Sequence, residues 1–243
     1  MGRVYAGTSG WTYKTWSPDF YPKSVKAAGY LNHYSSKLNA VEVNYTFRRR
    51  LTEPVQEKWL ASTSDGFLFS VKAPQAITHF KRLKDCEEYL KGFLESVQLL
   101  AAARRLGPLL FQLPPDLKAD AGLLREFLQQ IPRAARVTFE FRNSSWFAEP
   151  VYDILRAANA ALCMAESEET ATPEILTADF YYTRLRKPDY SADEVDTISA
   201  RLGGLAARGD VFAFFKHEET AQGALNAMKV LEKIQSQAAG NAG

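Results

Sequence analysis

Apolar, β-prone runs that close on a polar or charged residue recur along the whole chain. They cover residues 4–9 (ending Thr8-Ser9), 40–44 (Glu42-Val43-Asn44), 67–72 (Ser70-Val71-Lys72), 109–112 (Phe111-Gln112), 137–142 (Glu140-Phe141-Arg142), 161–166 (Ala165-Glu166), 180–184 (Tyr182-Thr183-Arg184) and 211–216 (Phe215-Lys216). Segments with helical spacing lie between most pairs of runs. Eight β/α units in one chain predict a single (β/α)8 TIM-type barrel with parallel strands. In such a barrel the C-terminal strand ends form the active face, so the polar endings become the candidate site residues.

Helices are predicted over 30–38, from Pro54 with Val55, Trp59 and Leu60 at helical spacing, and over 86–106 with Leu90, Phe93, Leu94, Val97 and Leu100 on one face. Gly107-Pro108 is read as the stop of that long helix. Further helices are predicted over 123–131, 150–158, 191–207 and 221–234, with 78–83 a loop and the crossover after the sixth strand acidic, Thr-rich and weakly helical. A period of two places Glu42 with Asn44, Ser70 with Lys72, Glu140 with Arg142, and Tyr182 with Arg184 on shared strand faces. Pro114-Pro115 ends the fourth strand just after Gln112. Residues 1–235 form the barrel in this reading, and 236–243 form a tail with little to anchor it, expected to be mobile.

Composition narrows the class. With 243 residues, 46% of them apolar, the chain buries a core of barrel size. A formal charge of +2 is too small for a dedicated DNA-binding surface, so any polyanion is held locally. Cys86 and Cys163 are far apart and outside any Cys-x-x-Cys, which fits plain thiols in a reducing compartment. The first strand follows the N-terminus without an apolar leader, and no membrane-length apolar run occurs. A soluble cytoplasmic protein with no membrane partner is expected, and the sequence sets no oligomeric state.

Motifs spread over nearly the whole chain resemble the domain of unknown function 72 (DUF72) family, also called YecE-like. They are Gly7-Thr8-Ser9-Gly10-Trp11 with Tyr13, Phe20-Tyr21-Pro22, Val41-Glu42-Val43-Asn44 with Thr46-Phe47, and Phe69-Ser70-Val71-Lys72-Ala73-Pro74 with Ile77-Thr78-His79. Downstream come the run from Leu106 to Pro115, Glu140-Phe141-Arg142 with Ser145-Trp146, and Thr177-Ala178-Asp179-Phe180 with Tyr182 and Arg184. The resemblance implies a TIM barrel and supplies no activity. Two departures matter. The family motif continues as Tyr-x-Arg-Leu-His-Gly where this chain has Tyr182-Thr183-Arg184-Leu185-Arg186-Lys187, and relatives place an Asp near the sixth strand end where this chain has Glu166.

Glu42, Lys72, Glu140, Arg142 and Arg184 are expected to converge at the mouth, with Asn44, Ser70, Gln112 and Tyr182 beside them. Burying such charges costs several kcal/mol each (on the order of 3–5 when one partner is lost) unless they pair, so a hydrogen-bonded network is predicted. Glu42 and Glu140 are candidate acid/base groups, Lys72 a proton-transfer or imine-forming group, and Arg142 and Arg184 an anion clamp. The plain alternative makes Glu42–Lys72 and Glu140–Arg184 structural ion pairs that close one barrel end. A paired-carboxylate glycosidase fits poorly, because the surrounding cations hold both acids ionised.

No metal is expected. The chain has His33, His79 and His217 in no ligand motif, and Glu140, Glu166 and His217 are the best available ligands. Without a nucleophile elbow, Walker loop or dinucleotide fingerprint, no cofactor is expected either. Trp11, Tyr13, Trp16, Phe20, Tyr21, Tyr45, Phe47 and Trp146 offer ring faces to a ligand or plug the loops onto the rim.

The leading reading is a metal-independent enzyme acting on a small anionic compound, a phosphorylated sugar or a nucleotide. Nucleic-acid binding or processing through the same mouth is the competing reading, with Arg48-Arg49-Arg50 and Lys81-Arg82 tracking the backbone. A non-catalytic ligand sensor is the third. Continuity of the arginine run and Lys81-Arg82 with the mouth favours the polymer, and their dispersion favours the small ligand.

Overall fold

Each apolar run is β-branched or aromatic enough to form a strand buried on both faces, as parallel sheets require. The strands are β1 (Val4–Thr8), β2 (Ala40–Val43), β3 (Leu68–Lys72), β4 (Leu106–Gln112), β5 (Val137–Glu140), β6 (Ala160–Ala165), β7 (Phe180–Leu185) and β8 (Asp210–Phe215). The computed structural model describes residues 2–166, 172–216 and 219–240. The strands pair in the order β1-β8-β7-β6-β5-β4-β3-β2, all parallel. A single parallel bridge between Ser9 and Glu42 brings the two ends of that order together, so the barrel is nearly closed.

The helices are α1 (Tyr30–Ser35), α2 (Glu53–Ala61), α3 (Glu87–Glu95), α4 (Gln98–Ala102), α5 (Ala121–Gln129), α6 (Glu149–Ala157), α7 (Ala192–Ala206) and α8 (Gln222–Gly240). Their starts follow local chemistry: Asp120 caps α5 by accepting from Leu123 N at 2.9 Å, and Ser191 and Glu194 form a reciprocal capping box on α7. Their apolar faces pack around the outside of the barrel. Inside, Ala40, Leu68, Leu110, Ala161, Phe180 and Phe212 form an apolar plug, joined by Cys163, Tyr182 and Phe214 further along their strands. The polar strand endings lie beyond this plug.

Several boundaries differ from the sequence reading. The stretch 86–106 is two helices, α3 and α4, followed by Arg104 at φ +56°, and Gly107-Pro108 lies inside β4 instead of stopping a helix. The register between β3 and β4 shifts there, as a bulge does, and the Pro108 carbonyl accepts from Ser70 Oγ at 2.7 Å. Residues Ala76–Phe80 form a wide helical turn that overlaps the start of the segment 78–83 read as a loop. The last helix runs on to Gly240, past the expected end at Ile234 and through most of the segment read as a tail; residues 241–243 lie outside the described residues. No helix joins β6 to β7 among the described residues; positions 167–171, the start of the acidic, Thr-rich crossover, lie outside them. No described helix is long and apolar enough to cross a membrane.

Side chains close the β1–β2 seam where a regular ladder is missing. Asn39 mimics a strand: its Oδ1 accepts from Ala6 N at 2.8 Å and its Nδ2 donates to Val4 O at 2.9 Å. The Tyr34 hydroxyl accepts from Thr8 N at 2.8 Å and donates to Ala40 O at 3.1 Å. Gly7 permits this approach, since a Cβ there would sit 1.9 Å from the Ala40 carbonyl oxygen. Tyr34→Phe leaves buried backbone groups unpaired and is expected to cost about 1–3 kcal/mol. Urea unfolding checks this: the midpoint should fall with the slope unchanged, and an unchanged midpoint contradicts the role given to Tyr34.

Candidate functional site

The polar endings meet at one network, and Arg184 is its hub. Period-two alternation on β7 turns Tyr182 and Arg184 inward, and burial leaves Arg184 only 1% exposed. Its Nη2 donates to Glu42 Oε1 at 2.7 Å and its Nη1 to Glu140 Oε2 at 2.6 Å. One guanidinium thus bridges β2 and β5 across the barrel. Glu42 also accepts from Ser9 Oγ at 2.6 Å and from the Tyr182 hydroxyl at 2.7 Å. Ser70 Oγ lies 2.8 Å from the Tyr182 oxygen. Since Tyr182 spends its one proton on Glu42, the Ser70 proton serves either Tyr182 or the Pro108 carbonyl.

Glu140 is more heavily loaded. Its Oε1 accepts from Gln112 Nε2 at 2.7 Å, from Arg142 Nε at 3.2 Å and from Arg186 Nη2. Lys72 completes the chain, with Nζ donating to Gln112 Oε1 at 2.8 Å and lying 4.2 Å from the centre of the Phe47 ring. His79 packs edge-on against that aromatic support, its ring centre 5.0 Å from that of Phe47. Glu166 does a different job: its Oε2 accepts from Arg186 N at 2.7 Å and from the Tyr190 hydroxyl, anchoring the turn that carries Arg186.

The electrostatics follow from these contacts. Burial pushes the Glu42 carboxyl up, but Arg184 and the hydrogen bonds from Ser9 and Tyr182 outweigh it and hold the group below its ordinary range. Burial opposes ionisation of Glu140 too, and Arg184, Arg186 and Arg142 overcome it, holding the group well below the ordinary carboxylate range. Both are therefore fixed anions, each already accepting from several donors. Lys72 moves the other way: burial and then the Arg184 charge lower it to about 8, against partial support from Glu42 and Glu140. Arg184 Nε and Arg186 Nε are buried with no acceptor. Four cations (Lys72, Arg142, Arg184 and Arg186) thus surround two spoken-for carboxylates.

The structure brings together Glu42, Ser70, Lys72, Gln112, Glu140, Arg142, Tyr182 and Arg184, and corrects two expectations. Lys72 bonds Gln112 and makes no ion pair with Glu42, whose cation is Arg184. Trp146 does not reach the mouth. It is fully buried, stacked on Phe141 at 4.6 Å, and its Nε1 donates to Leu117 O at 2.7 Å, so it packs the loop after β5 onto the barrel. Trp11 and Asn44 lie to one side, lining a groove of ≈ 710 Å³ with Tyr13, Tyr45 and Trp59, where Asn44 Oδ1 is buried without a partner.

Ser9 and Arg186 were missing from the expected set. Each had a signal in the sequence, Ser9 as the polar end of the first run and Arg186 as the next inward position after Arg184. Among the described residues no group of three His, Cys, Asp or Glu is placed to hold a metal; His217 lies outside them.

A nearly closed parallel barrel whose C-terminal mouth carries this cation–carboxylate network defines a TIM-barrel protein with a polar site at the usual face. The model of the family described as "Protein of unknown function DUF72" matches residues 5–242, and the chain belongs to that family. It is 30% identical over 156 residues to the UPF0759 protein YunF of Bacillus subtilis (strain 168), covering 62% of this chain and 54% of YunF. The chain spans about half the length of the curated relatives it matches. Among solved structures, a DUF72 family protein (TM1631) from Thermotoga maritima MSB8 superposes with a TM-score of 0.85 at 26% identity, covering 96% of this chain and 99% of that one. A second DUF72 family protein (EF0366), from Enterococcus faecalis V583, gives 0.78 at 16% identity over 97% and 98% of the two chains and shows the shared fold.

Removing the hub strands two buried anions. Arg184→Met is expected to cost about 3–5 kcal/mol, and Glu140→Gln added to it should recover part of the loss. Chemical denaturation of the three proteins checks this, and a double variant less stable than Arg184→Met contradicts the pairing. Because Glu42 and Glu140 have lowered folded pKa values, the unfolded chain binds protons more readily in acid. Their stabilisation is complete above the ordinary glutamate range, near about pH 4.3, and drains away as pH falls below it toward the folded values.

Proposed function

We propose that this protein is a metal-independent enzyme acting on a small anionic compound, a phosphorylated sugar or a nucleotide. Lys72 exchanges the proton, and Arg142 and Arg186 hold the anion. The observation that carries this reading is the imbalance at the mouth: both carboxylates are already paired with arginine, while the cations around them keep unspent donor capacity. Two buried guanidinium N–H groups without acceptors point the same way, because such groups in folded proteins are nearly always answered by a partner. The surplus positive charge favours an oxyanion and disfavours a divalent cation in the same space.

Lys72 suits proton exchange because its pKa of about 8 makes both forms available near neutrality. Glu42, Gln112, Glu140, Tyr182 and Arg184 act as positioning residues. Arg184 fixes the two anions, Glu140 aims Gln112, and Gln112 aims the ammonium. In this reading the proton-exchange role expected of Glu42 and Glu140 passes to Lys72, since neither carboxylate has a proton to give near neutrality. Buried free thiols at Cys86 and Cys163 support a reducing, cytoplasmic setting.

Differential scanning fluorimetry with inorganic phosphate, sugar phosphates and nucleotides tests the reading. A ligand at about 100 times its Kd should add ~2.7 kcal/mol, a rise of roughly 5–10 °C for a chain of this size. Replacing Arg142 and Arg186 together by Met should lose most of that rise, and the wild-type affinity should weaken as pH climbs through about 8 and the neighbouring Lys72 ammonium loses its charge. No stabilisation by any anion, or stabilisation equal in the double arginine variant, contradicts the proposal.

A further inference from the structure

A second surface adjoins the mouth and is built differently. The loop after β2 carries Phe47, beneath the Lys72 ammonium, and continues directly into Arg48, Arg49 and Arg50. These three arginines line a groove of ≈ 350 Å³ together with Phe80 and Tyr89. All three are exposed, and among the described residues their side chains meet neither a carboxylate nor a hydrogen-bond acceptor. Glu88 is the one acidic residue lining the groove.

The two rings stand out for where they are. Phe80 is 71% exposed and Tyr89 52%, the two most exposed large apolar residues among those described. Exposed rings beside uncompensated cations have no packing role to explain them. Their chemistry matches one class of partner, a polyanion that also presents flat, unstacked ring faces. Duplex nucleic acid hides those faces inside its stack, and a lone phosphate has none.

We propose that the groove between the loop after β2 and the segment from Phe80 to Tyr89 binds single-stranded nucleic acid, with phosphates on Arg48, Arg49 and Arg50 and bases stacked on Phe80 and Tyr89. The surface leads to the mouth through Phe47, so a strand held there delivers a nucleotide toward Lys72. This goes beyond the small-anion reading and stands without it, because none of the five groove residues belongs to the Arg184 network.

Fluorescence anisotropy of labelled DNA and RNA strands of about 12 nucleotides, within the usual site size for single-strand binders, tests the proposal on the full chain, with the matching duplex and a mononucleotide as competitors. Wild type should bind the single strands in preference to the duplex, with affinity falling steeply as salt rises. Replacing Arg48, Arg49 and Arg50 together by Ala should reduce the logarithmic salt slope by about 2, the value for three single-strand phosphate contacts. Phe80→Ala with Tyr89→Ala should weaken binding by about 5-fold or more per lost stack and leave the slope unchanged. Circular dichroism guards against misfolding, and the triple arginine variant should lose oligonucleotide affinity while keeping the inorganic-phosphate effect in fluorimetry, which separates the groove from the mouth. A mononucleotide that competes as well as the strand, no binding at low salt, or a dimer that Phe80→Ala with Tyr89→Ala dissolves would each overturn it, the last by giving the surface to a second copy of this chain.

Discussion

The mouth depends on one guanidinium. Arg184 is fully buried and holds Glu42 from β2 and Glu140 from β5 through two separate nitrogens. An isolated charge at that depth would be forced to neutralise or to drag water inward. Each member of the triad is therefore tolerable only because the other two are present. The same constraint decides the chemistry above it. Two carboxylates kept permanently ionised serve as fixed negative charges that allow Lys72, Arg142 and Arg186 to crowd the same opening.

Rigidity follows from how those residues are carried. Glu42, Ser70, Lys72, Gln112, Glu140, Tyr182 and Arg184 all project from strands, so their positions are set by the barrel ladder and not by loops. The seam between β1 and β2 matters for the same reason. Ser9 reaches Glu42 across the only bridge that joins those strands among the described residues, and Asn39 and Tyr34 hold the rest of that edge. The parts left on loops are different in kind: Arg186 is tethered through Glu166, whereas the side chains of Arg48, Arg49 and Arg50 have no tether among the described residues.

Much of this was readable from residue order, because strands of a parallel barrel repeat one rule: apolar positions inside the wall, one polar residue at the end. That rule locates Glu42, Lys72, Gln112, Glu140 and Arg184 without coordinates. It fails where local geometry breaks the rule. Gly107-Pro108 looks like a helix stop by residue type, yet a bulge lets both sit in β4. Trp146 looks like a mouth aromatic by its place after β5, and only packing against Phe141 reveals it as core. Partner choice was also hidden, since sequence spacing cannot tell that Lys72 turns to an amide while Arg184 takes both carboxylates.

At this mouth the carboxylates are fixed charges and the lysine is the titrating group. An NMR pH titration of the side-chain carboxyl and ammonium-adjacent carbons of Glu42, Glu140 and Lys72 tests it most directly. Both glutamates should stay ionised from about pH 5 upward, and Lys72 should titrate near about 8. A glutamate titrating near neutrality, with Lys72 at the ordinary lysine value, would contradict it and return the proton-exchange role to the carboxylates.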